Sequence, residues 1–159
     1  MIHDAVEILL VEDDPRDIET TLRLLKTHHL ANTVRVVRNG EEAIDFVFTN
    51  LATPPKVILL DSTLPNVNAW EVLRRIKSDE LKRQIPVVVM SSSREESEVV
   101  QSYKLGANAY IFKPIDFEQF TGCVRDLGMY WLLLSEPPPE SRTVMEAPGY
   151  EGAGVFSYT

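Results

Sequence analysis

Several residues of this chain that could do chemistry stand directly after apolar runs. Glu12 and Asp13 follow Ile8-Leu9-Leu10-Val11, and Asp61 follows Val57-Ile58-Leu59-Leu60. Ser91 follows Val87-Val88-Val89-Met90, and Lys113 follows Ala109-Tyr110-Ile111-Phe112. A carboxylate against a buried run costs free energy unless a cation answers it. Carboxylates gathered within about 4 Å would repel by roughly 4 kcal/mol per pair at an effective dielectric of 20, so a divalent cation and an ammonium are needed to offset them. An all-oxygen acidic set without His or Cys suits Mg²⁺, which keeps waters and accepts a phosphoryl oxygen. The chemistry this predicts is phosphoryl transfer: Asp61 as nucleophile forming an acyl phosphate, Mg²⁺ and Lys113 neutralising the transferred group, and Ser91 donating to it afterwards. Taken singly, each residue has a plainer reading. Asp61 could start a turn, Ser91 cap a helix, Lys113 be a solvated charge and Glu12 a loop acid. All of them fitting one chemistry favours the site.

For that site to exist, the strand ends must share one edge. Four consecutive large apolar residues read as strands buried on both faces, as in a parallel sheet. The intervening stretches carry helical spacing: Ile18, Leu22 and Leu25 after Pro15 with Asp14 as N-cap, Ala43, Ile44 and Val47 within 41–49, and Val72, Leu73 and Ile76 after the loop Ser62 to Asn68. A charged helix is expected over Arg94–Leu105, closed by Gly106. A last helix, capped by Asp116, is expected to run to about Ser135 with Phe117, Phe120, Val124 and Leu127 inward. Thr33–Val37 supplies one more strand, with Asn39-Gly40 turning after it. Five strands alternating with five helices predict an α/β fold, a doubly wound five-stranded parallel sheet, for which we take 2-1-3-4-5, the flavodoxin-like option among such sheets. That order sets the first and third strands side by side, and so Glu12, Asp13 and Asp61 together.

Composition narrows the class. A formal charge of -8 argues against nucleic acid, and the lone Cys123 cannot form an internal disulfide, which suits a reducing cytoplasm. The N-terminus lacks a signal-peptide pattern, and Met129–Leu134 is too short to cross a bilayer. Residues 1–135 are expected to form one domain and 136–159, rich in Pro and Gly, a tail.

The chain resembles the receiver domains of two-component response regulators over about residues 6 to 135. The resemblance rests on Leu10-Val11-Glu12-Asp13-Asp14, Leu60-Asp61 with Leu64-Pro65, Met90-Ser91-Ser92 and Lys113-Pro114. It implies the receiver fold, with Glu12, Asp13, Asp61 and the Thr63 carbonyl holding Mg²⁺, and Asp61 as phosphoacceptor. It also implies Ser91 and Tyr110 as switch residues, a cis Lys113–Pro114 peptide, and a histidine kinase as partner. One departure is Ala69, where the family usually has glycine; a requirement for φ > 0 there would penalise alanine.

A narrower resemblance is to single-domain regulators paired with bacterial phytochrome-type histidine kinases. It is carried by Ser92-Ser93-Arg94-Glu95-Glu96, Ile115–Phe120 and Leu127–Leu134. It implies signalling through a downstream protein or phosphotransfer partner, and a homodimer through the C-terminal helix region, where Met129–Leu134 is apolar on all sides. Other classes fit less well. A haloacid-dehalogenase-type phosphatase would want an acid where Thr63 stands. A flavin carrier would want hydroxyls and glycines where Glu12-Asp13-Asp14 stands. A phosphorylation-independent interaction module is weakened by the completeness of the site. His3, His28 and His29 lie at no strand end, and Cys123 reads as a packing residue.

Overall fold

The computed structural model describes residues 6–28, 33–49, 54–65 and 67–128. The elements alternate throughout: β1 (Ile8–Val11), α1 (Pro15–Thr27), β2 (Val34–Val37), α2 (Gly40–Thr49), β3 (Val57–Asp61), α3 (Ala69–Ser78), a 3₁₀ turn (Lys82–Gln84), β4 (Val87–Ser91), α4 (Glu96–Lys104), β5 (Ala109–Phe112) and α5 (Phe117–Asp126). All strand pairs are parallel, as the alternation predicts, and the order is β2-β1-β3-β4-β5, the flavodoxin-like one expected.

The three inner strands are buried along their whole length, which is why they are unbroken apolar runs. Side chains alternate between faces. Ile8, Leu10, Leu59 and Met90 meet Ile18 and Leu25 of α1 and Phe120 and Val124 of α5 on one face. Leu9, Val11, Ile58, Leu60 and Val89 meet Ala43 and Val47 of α2 and Val72, Leu73 and Ile76 of α3 on the other.

Helix starts follow their caps. Asp14, Asn68 and Asp116 accept hydrogen bonds from the amides of Arg16, Glu71 and Gln119 at 2.9, 2.9 and 2.7 Å. Gly106, at φ +108°, closes α4 as expected.

Five expectations change. Gly40 is the buried first residue of α2 rather than a turn residue, with Asn39 accepting from the Glu42 amide at 2.8 Å. The α4 helix starts at Glu96, two residues later than Arg94, because Ser93 turns the chain by accepting from the Glu95 amide. The last helix ends at Asp126, followed by Gly128 at φ +73°, and residues 129–159 lie outside the described residues, with Met129–Leu134 and the tail among them. Phe117 faces outward, 41 % exposed, and stacks on His28 with ring centroids 3.9 Å apart. Ala69 carries no penalty: it opens α3 after Asn68 and is fully buried.

Candidate functional site at the carboxyl edge of the sheet

The register aligns the strand ends. Val11 lies opposite both Val37 and Leu60, which sets Glu12 beside Asp61, while Asp61 lies opposite Met90 and Ser91 opposite Phe112. Amide-to-carbonyl bonds carry the ladder past the strands: Glu12 to Val37 at 3.0 Å, Ser62 to Met90 at 2.9 Å and Lys113 to Ser91 at 2.8 Å. Each chemically capable side chain is thus fixed by backbone that belongs to the sheet. The Lys113–Pro114 peptide is cis.

The Lys113 ammonium enters the acidic cluster. Its Nζ donates to Glu12 Oε1 at 2.8 Å, to Asp61 Oδ1 at 2.8 Å and to Asp17 Oδ2 at 2.9 Å. Glu12 Oε2 also accepts from the Asp14 amide at 3.2 Å. Glu12 and Asp61 are buried, whereas Asp13 is exposed and marks the open side. Ligand atoms of Glu12, Asp13 and Asp61 lie within 4.8 Å of one another.

Electrostatics follow from this crowding. Burial pushes the Glu12 carboxyl up to about 7 and the nearby Asp61 charge adds to the rise, outweighing the hydrogen bond from Lys113. Burial raises Asp61 as well, again against Lys113. Burial would lower Lys113, but its three carboxylates more than reverse this and hold its proton firmly. One ammonium is too little charge for this many acids. The hard, all-oxygen donor set fits a divalent cation of the Mg²⁺ or Mn²⁺ kind.

Ser91 is buried at the end of β4, and its Oγ accepts from the Ser93 amide at 3.0 Å. Half-buried Tyr110 donates its hydroxyl to the Ser93 carbonyl at 3.1 Å. Both side chains therefore meet on one residue of the β4–α4 loop. Arg94, next along, lies over the Phe112 ring at 4.1 Å. Thr63 is exposed just beyond Asp61, and a backbone hydrogen bond from it favours the Asp61 carboxylate. The structure thus gathers Glu12, Asp13, Asp61 and Lys113 directly, with Thr63 beside Asp61. Ser91 and Tyr110 are joined to one another through Ser93.

Asp17 is the participant that sequence reasoning missed. An acid in the first turn of a helix is ordinary, and nothing local announces a partner 96 residues away. Its place three residues after the Asp14 cap, on the turn leaving the acidic loop, was the available signal.

Comparison with known proteins agrees with this geometry. The response regulator receiver domain profile matches residues 8–125. The structure of the bacteriophytochrome response regulator AtBRR is 46% identical, with 84% of this chain and 100% of that one covered at a TM-score of 0.74. For the bacteriophytochrome response regulator RtBRR the figures are 45%, 96%, 90% and 0.77. Response regulator Rcp1 of Synechocystis sp. is 34% identical over 130 residues, which cover 79% of this chain and 88% of that protein. Its Mn²⁺-bound form has a TM-score of 0.65, at 33% identity over 80% of this chain and 94% of that one. The sheet order, the acidic pocket and these relatives lead to one conclusion: this chain belongs to the response regulator receiver domain family, whose members are signalling switches rather than conventional enzymes.

Proposed function

We propose that this protein accepts a phosphoryl group on Asp61 from a phosphohistidine of a histidine kinase. Glu12, Asp13, Asp61 and the Thr63 carbonyl would hold Mg²⁺, which when bound supplies positive charge to the transferred group. An Asp61 carboxylate oxygen attacks phosphorus, the P–N bond to the imidazole breaks, and its electron pair leaves with the imidazole. Lys113 neutralises charge on the phosphoryl oxygens, and the Ser91 hydroxyl donates to one of them after transfer. The observation that carries this reading is the part-buried Lys113–Asp61 pair at 2.8 Å, joined to a cluster of Glu12, Asp13 and Asp61 whose carboxylate oxygens lie within 4.8 Å of one another.

The switch follows from local bonding. When the Ser91 Oγ turns to the phosphoryl group, the Ser93 amide loses its acceptor, and Ser93 is also where Tyr110 is tied. The β4–α4 loop and the β5 side of the sheet then take up a second arrangement. The two bacteriophytochrome regulators at 46% and 45% identity support a phytochrome-type kinase as the partner. We place the protein in the cytoplasm, signalling to a downstream protein or phosphotransfer partner, as a homodimer through the C-terminal helix region.

Labelling with acetyl phosphate in the presence and absence of Mg²⁺ tests the core of this reading. Label should require Mg²⁺ and vanish in Asp61→Asn. Label that persists in that variant rejects the assignment.

A further inference from the structure

Resting on the phosphoacceptor reading, we propose that Asp17 is a positioning residue, a replaceable third acceptor that holds Lys113 in the resting protein and yields its hydrogen bond to the arriving phosphoryl group. An ammonium has three donors, and in this structure all three are committed, to Glu12, Asp61 and Asp17 at 2.8, 2.8 and 2.9 Å. Lys113 cannot donate to a phosphoryl oxygen without surrendering one of them.

Burial decides which bond goes. The Glu12 and Asp61 side chains are 1% and 5% exposed, so as the phosphoryl group approaches, and before it is joined to Asp61, a carboxylate that gave up Lys113 there would gain no water in exchange. Asp17 is 40% exposed and is rehydrated as soon as Lys113 turns away. It also stands at the start of α1, where the helix N-terminus favours its charge whether or not the lysine is present. Release of Asp17 is the cheapest way to free a donor.

Two effects then share one sign. Asp17 competes with the phosphoryl group for Lys113, and its charge opposes the approach of a dianionic donor. Removing it should favour the loaded state. A residue that merely aimed Lys113 at the phosphoryl group would, on removal, do the opposite.

The test compares wild type, Asp17→Ala and Asp17→Glu by calorimetric titration with beryllofluoride, a phosphoryl mimic, at saturating Mg²⁺, with thermal melts alongside. Asp17→Ala should bind beryllofluoride roughly two- to fivefold tighter, the size expected for an ion pair with one end open to water. Asp17→Glu, which keeps the acceptor and the charge, should return toward the wild-type value. The gain should shrink at high salt. Equal or weaker binding by Asp17→Ala, with wild type binding normally, overturns the proposal whatever the melting temperature does. Wild type that neither binds beryllofluoride nor takes label from acetyl phosphate overturns the phosphoacceptor reading, and this inference with it.

Discussion

Gly40 lies directly against the Val67 carbonyl: a Cβ built on Gly40 would stand 2.1 Å from that oxygen. The contact joins the start of α2 to the loop after β3, close to the residues that follow Asp61. Both sides are backbone at that point, so neither can rotate away. Gly40→Ala should cost about 2 kcal/mol through overpacking, lowering Tm by roughly 5–10 °C. A calorimetric melt equal to wild type would contradict this.

Ser91→Ala removes the acceptor of the Ser93 amide, and should cost about 1 kcal/mol in urea unfolding. Because Asp61 and Lys113 are untouched, Mg²⁺-dependent labelling by acetyl phosphate should survive. What should be lost is the difference between labelled and unlabelled protein in hydrogen exchange over 91–96, a region that should respond in wild type.

The metal-free protein should lose stability as pH rises. Glu12 titrates near 4.5 when unfolded and at about 7 when folded, so the folded state holds the extra proton between those values. The stabilisation is full below pH 4.5 and is lost as pH rises through 7. Asp61 is raised too and acts in the same direction. Magnesium held there, as proposed, would compete with that proton, so the increase in Tm on adding Mg²⁺ should be larger at pH 8 than at pH 6. Equal increases at both would sink the expectation.

Cys123 lies half-buried in α5, and burial with Asp126 nearby pushes its thiol up to about 11. Iodoacetamide should therefore react with it far more slowly at pH 8 than with an unfolded control, and faster as pH approaches 11. A free-thiol rate at pH 8 would show that the helix is open there.

Lys77 reaches across the other end of the sheet, donating to the Arg83 and Ile85 carbonyls at 2.9 and 2.7 Å and to Asn108 Oδ1 at 2.9 Å. Burial pushes its ammonium down to about 8, which still leaves it mostly charged at neutral pH. Lys77→Met keeps the stem against Gly106 and removes this donor from the Arg83 and Ile85 carbonyls, while Asn108 Oδ1 keeps the Val87 amide at 2.8 Å. It should cost about 2 kcal/mol in urea unfolding without changing acetyl phosphate labelling.

Much of the fold is legible because its determinants are local. The apolar runs in β1, β3 and β4 can only be strands buried on both faces, and Asp14, Asn68 and Asp116 announce the helices they cap. Glu12, Asp61 and Lys113 are legible for the same reason: each is the first polar residue beyond an apolar run, or its last residue. What escapes is set by long-range contact. Gly40 looks like a turn glycine until Val67 arrives above it, and Phe117 looks like core until His28 offers a ring outside. Asp17 finds its partner only after the whole sheet has assembled. The start of α4 depended on Ser93, a side-chain-to-backbone bond that competes with helix and leaves no periodic trace.

The two lysines that close opposite margins of the sheet differ in one respect. Lys113 is held by carboxyl groups, which a metal or phosphate would engage; Lys77 is held by neutral amide oxygens, which neither would. The molecule therefore has one end that metal and phosphate leave alone and one built to respond to them. Under the proposed function, a rearrangement set off at Asp61 would meet the Lys77 anchor beneath β4 and β5 and be spent on the loops above them.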